Sequence, residues 1–257
     1  MDSFEQTFDR AAEDYERSRP LYVPALYERI FRYKPVDERS RVLEIGLGTG
    51  KATAPFLDTG CHLTGIEPGT HLARLARKRL GAYDRFDLRV QTFQAYDGPG
   101  EAFDLVYAAT AFHWLPEAYG YRRVYELLKP GGAFARFAYH AGPDPHRATL
   151  AEDIQVVYRA CMPGAGQWRP FSAEDAAKLA DLAPKYGFVR SEYHLFRAEK
   201  DFTAAEYGRL LRTYSDHMAL EEGMRTRLFA GIHDAIERHG GVITVAYTMD
   251  LELASKP

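Results

Sequence analysis

RVLEIGLGTGKAT, residues 41–53, places glycines at 46, 48 and 50 directly after a short apolar run. A glycine inside a regular element costs backbone entropy, so three in five positions need a reason. The run is the first of several. RVLEIG (41–46), HLTGIE (62–67), FDLRV (86–90), FDLVYAA (103–109) and AFARFAYH (133–140) read as strands. Several are apolar almost throughout, as strands buried on both faces of a parallel sheet are. Helical patterns near 51–58, 70–82 and 117–128 alternate with them. This rhythm predicts a doubly wound parallel sheet. The glycines then sit where the first strand turns into a helix, at the carboxyl edge where open α/β sheets bind ligands.

Three ligand classes use such a turn. A P-loop needs G-x-x-x-x-G-K-[ST], but Ala52 stands where Ser or Thr belongs and position 45 is Ile. The dinucleotide fingerprint G-x-G-x-x-G meets Lys51 in place of its third glycine, which weakens a nicotinamide or flavin reading. What remains is E-x-G-x-G-x-G, Glu44 to Gly50. It resembles motif I of class I S-adenosylmethionine (SAM)-dependent methyltransferases. GIEPG (65–69), FDLVYAATAFHWL after the fourth run and LLKPGG (127–132) follow in the family's order. The segment FDRAAEDYERSRPLYVP and the triplet Phe112-His113-Trp114 resemble the trans-aconitate methyltransferase-like subgroup.

The resemblance implies a Rossmann-like α/β fold: a doubly wound, mostly parallel seven-stranded sheet with an antiparallel C-terminal strand and a helical cap. It implies SAM as cofactor, with S-adenosylhomocysteine as product, and no metal. Glu44 would order the glycine loop of Gly46, Gly48 and Gly50 and the ammonium end of SAM. Glu67, followed by Pro68, would accept both ribose hydroxyls, a task suited to two carboxylate oxygens side by side. Adenine would lie near Thr92 and Phe93, although Phe93 reads equally as core. Ala109 and Thr110 would face the methionine portion. Tyr15 and Arg19 match the N-terminal motif. Arg19 would contact the SAM carboxylate or form a surface salt bridge. His113 reads as a general base or as a packing partner of Trp114. Trp114, Tyr139, His140, Tyr214 and His217, with Trp168, are candidates for a substrate pocket.

The rest of the chain is read from pattern. Ile243, Val245, Tyr247, Met249, Leu251 and Leu253 alternate with smaller or polar residues, which predicts a strand with one less-buried face. Leu150, Ile154, Val157, Tyr158 and Cys161 share a helical face. Ser172 with Asp175, and Thr203 with Glu206, resemble capping boxes and predict helices from about 173 and 204. A further helix is expected over about 219–239 and a strand over 188–198. Pro55 predicts a late start or a kink in the helix after the glycines. Pro130 and its glycines should end the third helix and reverse the chain into the next strand. The expected division is an N-terminal helical lid (1–40), the SAM-binding core (41–140), cap insertions with one core helix and strand (141–241), and a final strand and tail (242–257).

Composition narrows the function. The 257 residues carry a net charge of −3 and are 46% apolar. That balance argues against broad electrostatic binding of nucleic acid or acidic lipid. Arg74, Arg77, Lys78 and Arg79 cluster at helical spacing and read as a solvated face. Cys61 and Cys161, far apart in sequence, fit a reducing cytoplasm rather than a disulfide or zinc scaffold. No apolar run suggests a signal peptide or membrane span. The expected partner is a small organic acceptor. RNA or protein methylation, or SAM binding without turnover, are the alternatives. Oligomeric state is not legible.

Overall fold

The computed structural model describes residues 18–164, 166 and 168–257. Seven strands are β1 (Arg41–Ile45), β2 (His62–Ile66), β3 (Phe86–Arg89), β4 (Phe103–Ala109), β5 (Leu128–Gly142), β6 (Val189–Thr203) and β7 (Val242–Ser255). They form one sheet in the order β3-β2-β1-β4-β5-β7-β6. β1 pairs in parallel with β2 and β4, β2 with β3, and β4 with β5. The C-terminal strands add the antiparallel part. The chain steps outward from β1 to β3, then returns to β4 on the other side of β1. The order therefore reverses between β1 and β4. A crevice opens at such a reversal, because the flanking connections leave on opposite faces.

The glycine turn feeds a late helix. The chain is helical only from Ala54 to Leu57, α1 of the sheet's connections, so Pro55 falls in the first turn, where its missing N–H is not needed. The next two connections are α2 (Thr70–Leu80) and α3 (Glu117–Leu127). LLKPGG departs from expectation. β5 begins at Leu128, and Pro130 to Gly132 lie within it as an irregularity, since Phe103 pairs with Leu128 but Leu105 with Ala133. Gly131, at φ +72, supplies the left-handed residue that this insertion needs.

The final strand also departs. Its odd positions are buried as expected, but Asp250 and Glu252 are 2% and 0% exposed. Alternation of residue type does not reveal a second buried face when the polar residues there have partners. Arg136 Nε lies 2.9 Å from Glu252 Oε2, an ion contact without hydrogen-bond alignment. The Tyr121 hydroxyl donates to the same oxygen at 2.8 Å, and the Tyr193 hydroxyl donates to Asp250 at 2.7 Å.

The chain divides into two compact units, with boundaries inside β5, β6 and β7. One comprises Leu21–Tyr139, Ser172–Phe196 and Met249–Pro257. Its core joins Leu43, Ile45, Val106, Leu127, Phe134 and Phe188. The other comprises the described residues among 1–20, 140–171 and 197–248. Its longer helices are α4 (Ala148–Cys161), α5 (Ala204–Leu211) and α6 (Glu222–Arg238), with a single turn at Ser215–Met218 before the last. They bury Leu150, Ile154, Leu210, Leu211, Leu228 and Ile232. A side chain at Gly231 would meet Val157 at 2.8 Å, so the glycine sets how closely α4 and α6 approach. Both capping boxes form as the spacing predicts. Among the described residues no helix is long and apolar enough to cross a membrane.

Candidate functional site

Parallel pairing brings three strand ends to one edge. Ile45 stands opposite Ile66 on one side and Ala108 on the other. Gly46 and Glu67, the first residues beyond their strands, and Ala109, the last of β4, therefore come to the same edge of the sheet. Gly46, Gly48 and Gly50 have φ values of +66, +61 and +77, a left-handed backbone that glycine adopts without a Cβ penalty. Neighbours within the protein constrain two of them further. A Cβ on Gly46 would lie 2.5 Å from the Ala111 Cβ, and one on Gly50 would lie 2.6 Å from Leu80 Cδ1. The glycines are thus required by backbone conformation and protein packing before any ligand is considered.

Glu67 holds this turn. Its Oε2 accepts from the Gly48 N–H at 2.7 Å and its Oε1 from the Gly69 N–H at 2.8 Å. The carboxylate is 5% exposed. A carboxylate oxygen carries two lone pairs, so one that takes a backbone N–H is chemically able to take a second donor.

Glu44 faces the interior. The Thr53 hydroxyl donates to its Oε2 at 2.7 Å and the Tyr107 hydroxyl at 2.6 Å. Its Oε1 and Thr49 Oγ1 are buried and lack a hydrogen-bond partner among the described residues. Burial pushes the Glu44 carboxyl up from 4.5 to about 8, against the two hydroxyl bonds. A carboxyl raised on folding favours its protonated form in the native state. Its contribution to stability is therefore complete below pH 4.5 and is lost as pH rises through about 8. Denaturant titrations of the ligand-free protein between these limits should show stability falling, and Glu44→Gln should flatten that slope. Parallel slopes for the two proteins would exclude an unusually basic Glu44.

The other predicted residues separate by environment. Pro68 follows Glu67 and is half-buried. The Thr92 hydroxyl accepts from the Ala95 N–H at 3.2 Å in an exposed turn. Phe93 lies in the core, edge-on to Tyr119 with ring centres 6.1 Å apart. Thr110 follows β4 with φ +52, and its hydroxyl lies 2.6 Å from that of Tyr22. His113 and Trp114 are exposed on a single 3-10 turn, ring centres 4.8 Å apart. Tyr139 packs at 5.8 Å on Tyr22.

In the second unit, Arg19 is buried rather than at the surface. It donates to Thr213 Oγ1 at 2.9 Å and to the Thr213 carbonyl at 2.7 Å, and its guanidinium lies 4.4 Å over Tyr214. His217 is 3% exposed, 5.3 Å from the Tyr214 ring and 3.3 Å from the Tyr158 hydroxyl. Burial holds its imidazole below the usual value. His140 stacks on Phe171 at 3.8 Å, and Trp168 donates to the Ala141 carbonyl at 3.2 Å. Tyr15 lies outside the described residues. Sequence reasoning missed Tyr22, Thr53 and Tyr107. The two partners of Glu44 had no local signal, because they meet it across separate elements. Tyr22 lies three residues beyond Arg19, inside the quoted N-terminal segment.

Residues 42–132 match the family model of a methyltransferase domain. An uncharacterized methyltransferase of Geobacillus kaustophilus is 32% identical over 210 residues, which cover 74% of this chain and 89% of that protein. The chain belongs to the methyltransferase family. An uncharacterized methyltransferase of Schizosaccharomyces pombe is 25% identical over 258 residues, 95% of this chain and 97% of that one. Among solved structures, Haemonchus contortus phosphoethanolamine N-methyltransferase 2, in complex with phosphomonomethylethanolamine and S-adenosylhomocysteine, shares the fold. It aligns over 100% of this chain and 61% of its own, with a TM-score of 0.58 and 18% identity. Glu44, the three glycines, Glu67, Thr110 and His113 all fall inside the matched methyltransferase domain.

Proposed function

We propose that this methyltransferase uses SAM and transfers its methyl group to a small organic acceptor, within the trans-aconitate methyltransferase-like subgroup. The observation that carries the cofactor reading is the left-handed glycine turn tied by Glu67 at the point where strand order reverses. The residues fit the group. Glu44 Oε1 and Thr49 Oγ1 are buried polar oxygens without partners among the described residues, and SAM carries ammonium, amine, hydroxyl and carboxylate groups that can satisfy such atoms. SAM supplies an already activated methyl on its sulfonium. The protein's own work is to bind and align: Glu67 takes the ribose hydroxyls, Glu44 steadies the turn, and the strand ends exclude water.

Acceptor size is supported by the charge balance of −3 and by the absence of a long basic segment in the sequence. Within its own unit Trp114 stands beside His113, and such an aromatic face is suited to a compact organic group. A carboxylate acceptor needs no base. A hydroxyl or amine must lose a proton, and His113 is then its recipient. Incubation of metabolite extracts with isotopically labelled SAM, read by mass spectrometry, tests the reading. Label in a small molecule supports it. Label only in RNA or protein, or SAM binding with no transfer to any fraction, overturns the acceptor assignment.

His113→Asn keeps the size and one hydrogen-bonding nitrogen. We expect it to leave SAM affinity unchanged and to lower turnover by less than about a hundredfold, the low end for a lost base. The exposed ring of His113 beside Trp114 motivates that modest figure. A loss of about four decades, with a pH profile missing the limb near the His pKa, would make His113 the essential base.

A further inference from the structure

Three described residues other than glycine have a left-handed backbone: Glu101, Thr110 and Arg190. Thr110 is the β-branched one, for which this conformation is a genuine outlier. Its place is as unusual as its conformation. It is the first residue beyond β4, at the edge that carries the glycine turn. The next residue, Ala111, sits where a side chain on Gly46 would have to be, and the 3-10 turn bearing His113 follows at once. Strain of this kind persists only where the surroundings over-determine it.

The surroundings can be named. The Thr110 N–H donates to the Phe137 carbonyl at 2.7 Å, fixing the backbone from β5. Its hydroxyl pairs with that of Tyr22 at 2.6 Å, fixing the side chain. Tyr22 cannot swing away freely. It is 8% exposed and packs edge-on to Phe137 at 4.8 Å, with Tyr139 at 5.8 Å and Tyr27 at 6.5 Å. A rigid aromatic outside the sheet thus pins a strained threonine within it.

We propose that Tyr22 is a positioning residue for the methyl-donor site, acting through Thr110. It holds Thr110 left-handed, and so keeps Ala111 against Gly46 and aims the Phe112–Trp114 turn. The inference rests on the SAM reading above. Without the Tyr22 hydroxyl, Thr110 relaxes toward an ordinary negative φ, and Ala111 leaves the glycine turn. Only a fraction of molecules then has a competent site, and the apparent affinity falls by that fraction.

Calorimetry with S-adenosylhomocysteine on four proteins tests this: the parent, Tyr22→Phe, Thr110→Gly and the double variant. Tyr22→Phe removes one oxygen and should weaken binding about tenfold, as a competent fraction of about one in ten requires. Adding Thr110→Gly should recover most of that loss, because glycine holds a left-handed backbone unaided. Equal affinity of parent and Tyr22→Phe overturns the proposal. So does a loss that glycine at 110 leaves untouched, since the hydroxyl would then act directly. Melting of the same four proteins without ligand gives a second readout. Thr110→Gly should stabilise the Tyr22→Phe background more than the parent, and additive shifts overturn the proposal even if the parent binds no S-adenosylhomocysteine. That last failure, taken alone, counts against the SAM reading instead.

Discussion

Glu67→Ala will bind S-adenosylhomocysteine at least about a hundredfold more weakly than the parent protein. A hydrogen bond to a charged group is worth about 1.5–3 kcal/mol, and the ribose offers two. Two bonds at the lower figure total about 3 kcal/mol, or about two decades in affinity. The structure adds a further loss. Glu67 also receives the amides of Gly48 and Gly69, so its removal frees the turn that the ligand must meet. Glu67→Gln, which keeps one acceptor oxygen, should fall between parent and alanine. Calorimetry decides the matter: unchanged affinity in Glu67→Ala would remove the ribose assignment, whatever else the turn binds.

Arg136→Met should destabilise the fold by about 3–5 kcal/mol, the cost of leaving a buried charge without its partner. Glu252 is fully buried, and burial already pushes its carboxyl up against the pull of Arg136 and the Tyr121 hydroxyl. Without the guanidinium that carboxyl rises further. The variant should therefore be less stable at pH 8 than at pH 5, because a raised carboxyl loses its stabilising, protonated form as pH increases. Arg136→Met with Glu252→Leu replaces the pair by apolar groups and should recover most of the loss. Denaturant melts at both pH values test the three proteins. A single variant as stable as the parent at pH 8 would mean that the ion contact carries no weight.

Much of this protein was legible because local patterns and a motif in fixed order carried it. Five apolar runs marked the parallel core, two capping boxes started their helices at Ala173 and Ala204, and Pro55 delayed the helix after the glycines. The acid at 67 was identified from its place in GIEPG, and the structure puts it under the turn. The glycine run was legible too, but its immediate cause was not. Sequence suggested room for a ligand, whereas Ala111 and Leu80 occupy the space that side chains at Gly46 and Gly50 would need.

Sequence by itself determined the elements whose cause is local: period-two and helical apolar patterns, caps, and proline's missing donor. Only the tertiary structure decided which polar residues could be buried. Asp250 and Glu252 look solvent-facing in an alternating strand, yet Tyr193, Tyr121 and Arg136 meet them inside. Thr53 and Tyr107 meet Glu44, and Tyr22 meets Thr110, in the same way. All but the Thr53–Glu44 pairing join residues distant in sequence, and a buried polar group is stable only where such a partner reaches it. No pattern of neighbours along the chain encodes that meeting, because it exists only once the strands and their connections have packed.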